Sequence, residues 1–100
     1  SEAEAREDWD VASARLAPFS DRVRLWRSDS VSAARALAAA RGRAELVFLD
    51  AAHTYCGLRL DLEAWAPHVA RACGVLAGHD WTWGFGYGGG AEVAVAVAEW

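Results

Sequence analysis

This sequence of 100 residues contains no lysine, asparagine, glutamine, isoleucine or methionine. Arginine alone carries its basic charge, and ten arginines against 14 acidic residues leave a net charge of −4. Because the arginines are scattered, there is no basic stripe of the kind that binds nucleic acid or anionic membranes. We therefore predict no nucleic-acid partner and no membrane partner.

Cysteine and long apolar runs are also scarce. The two cysteines, Cys56 and Cys73, form neither a CxxC pair nor a dense disulfide pattern, so we expect buried free thiols. No apolar run approaches the ~20 residues that cross a bilayer, and no charged segment followed by an apolar one opens the chain. These absences predict a cytoplasmic setting.

The residues that are present suffice for a core, since 54% are hydrophobic and 24% are charged. Such values are typical of globular chains and argue against disorder. At this length we expect a single domain that spans residues 1–100.

The first half of the chain predicts a helix, a strand and a second helix. Acidic residues lead a helical stretch over residues 2–15, which a proline ends. Residues 22–27 alternate apolar side chains with arginine, and this period of two predicts a strand with one solvated face. Residues 28–30 offer helix caps before a helical stretch over residues 31–41, and Gly42 suits its end.

The second half repeats the strand and helix pattern. Short apolar runs over residues 45–49 and 73–77 are bounded by polar residues, which is typical of strands buried on both faces. Residues 57–70 carry apolar side chains at helical spacing, interrupted by a proline. Residues 81–90 are either an active-site lid or a plain loop. Residues 91–100 are either a strand or a helix, and the preceding glycines and the two glutamates favour a helix.

This alternation predicts an α/β fold, with an open, doubly wound parallel sheet of about three strands and flanking helices. Ligands of such sheets bind beyond the carboxyl ends of the strands. Residues 28–30, 50–53 and 79–80 follow the three predicted strands, so we expect them at one common rim.

Two carboxylates and two histidines follow the strands at this rim. Asp50 and Asp80, with His79 beside one of them, could hold a hard divalent cation such as Mg²⁺. His53 could then remove a proton from a hydroxyl whose acidity the cation has raised, because imidazoles titrate near neutral pH. In the alternative interpretation both aspartates cap the following helices and the histidines bond locally. Spacing alone does not decide between the two.

Three motifs occupy residues 45–80. An apolar run is followed by D-x-x-H-x-Y, the next helix carries D-L-x-x-W-x-P, and the next strand ends in G-x-x-x-x-H-D. This series resembles a branch of the class I S-adenosylmethionine-dependent methyltransferases, and VRLWRSDSVSAA upstream is similar to that family's third strand. The matching residues of the three motifs are Asp50, His53, Tyr55, Asp61, Leu62, Trp65, Pro67, Gly74, His79 and Asp80.

The resemblance implies a partial Rossmann-like fold that transfers a methyl group from S-adenosylmethionine to a hydroxyl of a small acceptor, such as a sugar or a phenol. In metal-dependent relatives Mg²⁺ assists this transfer. Because oxygen donors suit Mg²⁺ better than nitrogen, the histidine of the ligand set is its weakest member, and its alternative role is to orient the neighbouring carboxylate. The implied roles are cofactor contacts for Asp29, Ser30 and Ala51, metal ligands for Asp50, His79 and Asp80, and catalytic base for His53.

The sequence also departs from the family pattern. The first strand, the glycine-rich cofactor loop and the acidic residue that binds the ribose are not found in these 100 residues. The resemblance therefore implies a domain that is catalytic only when complete, and we expect this chain alone to bind the cofactor poorly. Two alternatives stay open: a non-catalytic remnant or interaction module of the same fold, and a metal-dependent hydrolase. Because a sheet without its centre exposes strand edges, self-association is expected.

Overall fold

The computed structural model of the protein describes residues 1–80 and 92–100. From the second helix onward, helices and strands alternate along the described chain, as the α/β prediction requires. A short 3-10 turn follows the first helix, and another follows the third. The elements are α1 (Glu2–Leu16), α2 (Ser30–Ala39), β1 (Leu46–Leu49), α3 (Tyr55–Trp65), β2 (Val75–Gly78) and α4 (Glu92–Ala98).

β1 and β2 form a parallel pair in which Leu46 is the partner of Val75 and Leu49 the partner of Gly78. α3 lies between the two strands in sequence, so this part of the chain is a strand, a crossover helix and a parallel strand. The predicted α/β class is confirmed, and the described residues fit part of a Rossmann-like fold.

The core lies between the sheet and the two helices α3 and α4. Leu58 and Leu62 stand one turn apart on α3 and are buried together with Val93 and Ala96 of α4. This packing holds the carboxyl ends of both strands against the two helices. Partly buried side chains that complete the cluster are Leu49, Tyr55 and Leu76.

Local chemistry sets both ends of α3. The helix begins at Tyr55 because the side chain of Thr54 accepts a hydrogen bond from the N–H of Gly57 at 3.1 Å. The interpretation of Asp50 as the cap of this helix is therefore wrong. α3 ends at Trp65, two residues before the proline that interrupts the apolar spacing of residues 57–70, since a proline lacks the N–H that a further helical turn would need.

Residues 22–27 do not form the predicted strand; their backbone is irregular and their side chains are exposed. A strand needs a neighbour for its N–H and C=O groups, and no other segment of the described chain pairs with this one. Alternating side chains are not sufficient without such a partner. The expected sheet of about three strands therefore has two within residues 1–80 and 92–100.

The sheet is buried on one face only, whereas the sequence predicted burial of both strands on both faces. Val47 is buried, but its neighbours Leu46 and Phe48 are 60% and 56% exposed. Val75 of β2 is exposed as well. α3 and α4 pack on the face that carries Leu49, and the side chains of the opposite face stay open to solvent.

Both cysteines are free, and both are exposed, so the prediction that Cys56 and Cys73 are buried is wrong. Neither thiol belongs to the buried cluster of the core. Among the helices of the described ranges, none has the length and apolar character needed to cross a bilayer.

Candidate active site at the strand ends

The two strands end side by side. Leu49 and Gly78, the last residues of β1 and β2, are partners in the sheet, and the N–H of His79 donates to the carbonyl of Leu49 at 3.1 Å. The pairing thus continues one residue past β2 and places His79 beside Asp50. The common rim predicted for these two strand ends is present.

Asp50, His79 and Asp80 form a cluster at this rim. Nδ1 of His79 lies 3.7 Å from Oδ1 of Asp50 and 3.1 Å from Oδ2 of Asp80. One donor atom from each of the three residues lies within 4.8 Å of the other two. The structure therefore brings together the three residues that the resemblance implied as metal ligands.

His53 reaches the same cluster through Asp80, with 2.7 Å between its Nε2 and the carboxylate Oδ2. From the sequence we expected His53 to share a site with Asp50, three residues earlier; its bonded partner is instead 27 residues away. A carboxylate hydrogen-bonded to an imidazole fixes the orientation of the ring. Asp80 therefore supports the predicted base directly.

The charges of the cluster alter its proton affinities. The hydrogen bond that His79 donates to Asp80, together with the negative charges of Asp80 and Asp50, raises the pKa of His79 above its ordinary value. Hydrogen bonds from His79 and then His53 lower the pKa of Asp80. Because a cation binds only the neutral imidazole, the raised pKa of His79 makes metal binding there compete more strongly with protons.

Asp80 also has an unusual backbone conformation. Its φ of 59° lies in the left-handed region, which a side chain other than glycine rarely adopts and which aspartate tolerates better than most. Such conformations cost free energy and occur preferentially at functional sites. The residue with this conformation is the one that contacts both histidines.

The donor set of the cluster fits a divalent cation. Asp50 and Asp80 offer carboxylate oxygens, and His79 offers one imidazole nitrogen. A carboxylate has lone pairs for several partners, so Asp80 can ligate an ion and still accept hydrogen bonds. Mg²⁺ prefers oxygen ligands, whereas Mn²⁺ and related ions accept imidazole readily. The mixed set therefore suits Mn²⁺ better than Mg²⁺.

Two of the three residues assigned to the cofactor line a groove along β1. Ser30 and Ala51 line one groove of about 420 Å³ together with Asp50. The hydroxyl of Ser30 accepts a hydrogen bond from Nε1 of Trp65 at 2.8 Å, which joins the start of α2 to the end of α3. The structure thus places Ser30, the last residue of the third predicted rim segment, beside Asp50 and Ala51 of the second.

Asp29 occupies a different position from the other two residues assigned to the cofactor. Its carboxylate accepts a hydrogen bond from the backbone N–H of Ser32 at 2.9 Å and thereby caps α2. Hydrogen bonds from the hydroxyl and the backbone N–H of Ser32 lower the pKa of Asp29. The carboxylate is thus engaged with its own helix, and Asp29 does not line the groove.

Sequence reasoning missed the contacts that hold α4 beside the site. Tyr55, which the sequence analysis named only as a motif position, donates a hydrogen bond from its hydroxyl to the carboxylate of Glu99. The guanidinium of Arg59 lies 5.8 Å from the centre of the Trp100 ring. Both pairs join α3 to residues just beyond α4, and only the three-dimensional packing reveals them. The predicted lid over residues 81–90 lies outside the described residues.

The protein is therefore an α/β protein whose candidate site lies at the rim of its sheet. Its potential ligand-binding groups are at the carboxyl ends of parallel strands, where such sheets bind their ligands. A sequence profile described as a methyltransferase domain matches residues 2–81, which is four-fifths of the chain. The chain therefore belongs to the methyltransferase domain family, for which S-adenosylmethionine is the implied methyl donor. No curated protein and no solved structure shows significant similarity to it.

Proposed function

We propose that the chain acts in the S-adenosylmethionine-dependent methylation of a hydroxyl on a small molecule, assisted by a divalent cation. The supporting observation is the convergence of Asp50, His53, His79 and Asp80 at one rim of the sheet. These 100 residues do not contain the glycine-rich cofactor loop of the family, so activity requires a further segment that supplies it.

His53 is the proposed catalytic base. When bound, S-adenosylmethionine supplies an electrophilic methyl group, whose transfer forms a C–O bond, breaks the C–S bond, returns the electron pair to sulfur and releases the hydroxyl proton. His53 accepts that proton, and the contact between its Nε2 and Asp80 holds the ring in place.

Asp50, His79 and Asp80 are the residues that would hold the cation. Its contribution there is to raise the acidity of the acceptor hydroxyl. Ser30 and Ala51 line the groove along β1 and would contact the methyl donor from that side. Because the rest of the cofactor site is not in these 100 residues, we expect the chain by itself to bind S-adenosylmethionine weakly. A micromolar dissociation constant measured by calorimetry would contradict this.

Titration with Mn²⁺ by calorimetry tests the cation site. Asp50→Asn removes one anionic ligand, so we expect its affinity for Mn²⁺ to be at least about tenfold lower than that of the unchanged chain. Asp8→Asn makes the same chemical change on the exposed helix α1 and is expected to leave the affinity unchanged. Equal affinities for the two variants would remove the cluster from the proposal.

The role of His53 requires the complete enzyme. His53→Ala is expected to lower turnover by about 10²- to 10⁴-fold while cofactor affinity stays nearly constant. Because the side chain also bonds Asp80, turnover should be measured over a range of pH and compared with that of His68→Ala, a histidine on the turn after α3. Unaltered turnover would exclude His53 as the base.

The alternative function is a non-catalytic interaction module of the same fold. The observation that favours it is the apolar side chains exposed on the open face of the sheet, Leu46, Phe48 and Val75. An interaction module uses this face and does not need the cluster. Substitution of Asp50 or His53 would then leave partner binding intact, whereas it would abolish methyl transfer.

A further inference from the structure

An apolar cavity of about 240 Å³ adjoins the proposed site. It lies between the ends of the two strands and the facing sides of α3 and α4. All of its lining side chains are apolar except one, that of His79. The principal walls are Leu49, Leu58, Leu62, Leu76, Val93 and Val97.

His79 belongs both to this cavity and to the cluster, where its Nδ1 lies 3.1 Å from Asp80 and 3.7 Å from Asp50. The side chain of His79 and the residue Trp100 are each more than half exposed, so they border the opening. A molecule seated in the cavity with its polar end at the opening therefore has that end beside His79, one of the proposed ligands.

The size and the lining of the cavity select among hydroxyl compounds. An apolar cavity of about 150 Å³ holds benzene, so 240 Å³ admits a single substituted six-membered ring. A sugar would bring several hydroxyls into a wall that offers one polar side chain, and buried hydroxyls without partners cost free energy. A ring that is apolar except at one edge avoids this cost.

We propose that the acceptor is a monocyclic phenol whose ring occupies this cavity and whose hydroxyl lies next to His79. This inference rests on the proposed function, and the group transfer is the one written there with the phenolic oxygen as acceptor. Trp100, whose ring lies against the guanidinium of Arg59, borders the opening and offers an aromatic surface suited to the ring.

Fluorine NMR of 4-fluorophenol titrated with the 100-residue chain tests the inference without methyl donor or cation. Saturable binding is expected, with amide shift changes confined to the ends of β1 and β2, to α3 and α4 and to His79, and absent from α1. A monofluorinated sugar is expected to bind at least about tenfold more weakly. Absence of saturable phenol binding, equal binding of the sugar, or shift changes centred elsewhere would overturn the proposal.

Two matched substitutions on α4 locate the bound ring. Val97 lines the cavity and Val95 does not, although their exposed fractions are similar, 39% and 43%. Val97→Phe is expected to weaken phenol binding by about tenfold or more by filling the cavity, and Val95→Phe to change it less than about twofold. Equal effects of the two variants would place the ring outside the cavity. If Val97→Phe does not fold, the amide shift map of the unchanged chain decides.

The two proposals can fail separately. If the chain does not bind the phenol, the Mn²⁺ titration of Asp50→Asn is unaffected. That result would overturn the assignment of the acceptor and leave the proposed function standing. Phenol binding in the cavity with no methylation of any hydroxyl compound by the complete enzyme overturns the proposed function, and the acceptor assignment with it.

Discussion

At the scale of single residues, Asp80 is the centre of the site. One carboxylate oxygen contacts His53 at 2.7 Å and His79 at 3.1 Å, and the backbone of the same residue is left-handed. Because both imidazoles contact this one carboxylate, the position and the surroundings of each ring depend on it. Changes at Asp80 should therefore affect the proposed base and the ligand set together.

Asp80→Asn in metal-free solution tests this dependence. Hydrogen bonding to Asp80 and its charge are the largest causes that raise the pKa of His79, so the substitution should lower that pKa. The charge of Asp50 contributes less, and Asp50→Asn should lower the pKa of His79 by a smaller amount. NMR titration of the His79 ring measures both shifts, and Asp10→Asn on α1 serves as the control. A larger shift from Asp50→Asn than from Asp80→Asn would contradict the geometry.

At the scale of elements, α2 depends on its amino-terminal cap. The pKa of Asp29 is lowered by hydrogen bonds from Ser32, so the folded state favours the ionised carboxyl. A depressed pKa contributes stability above the unfolded pKa, and this contribution is lost as pH falls through the lower, folded value. The start of α2 is therefore expected to be less stable in acid.

Thermal unfolding of Asp29→Ala against the unchanged chain measures the contribution of this cap. At neutral pH the variant should unfold at a lower temperature, because the first turn of α2 loses an acceptor. The difference should shrink as the pH falls below the ordinary carboxyl pKa. Asp29→Asn keeps an acceptor oxygen and is expected to resemble the unchanged chain at neutral pH. A difference for Asp29→Ala that is constant with pH would contradict the pKa direction.

The elements that could be predicted from the sequence are those that local chemistry determines. The apolar runs before Asp50 and His79 gave the two paired strands, and helical spacing gave α3. The strand predicted over residues 22–27 is not formed, because a strand needs a pairing partner and a local pattern does not reveal one. The cluster of Asp50, His79 and Asp80 followed from the parallel sheet, whereas the bond from His53 to Asp80 depends on how the turn before α3 folds back.

At the scale of the whole molecule, the fold covers its apolar residues incompletely. The radius of gyration is 15.2 Å, against about 13 Å for a compact chain of this length. No residue of α1 is buried, and Leu46, Phe48 and Val75 stay exposed on the sheet. Exposed apolar patches favour association with another chain, and so do the outer edges of a sheet that has only two strands within the described residues.

Self-association should therefore depend on concentration and should involve the open face of the sheet. Phe48→Thr keeps a residue suited to a strand and removes an exposed ring, so the dissociation constant of the associated form should rise by about tenfold or more. Leu60→Gln on α3 is the matched control, because Leu60 and Phe48 are each 56% exposed while only Phe48 lies on the sheet. Sedimentation velocity over a range of concentrations measures both variants.

If Leu60→Gln weakens association as strongly as Phe48→Thr, general surface hydrophobicity drives the association and the sheet face has no special part. A monomer at every concentration would instead mean that the exposed residues of β1 do not bind a second copy of the chain.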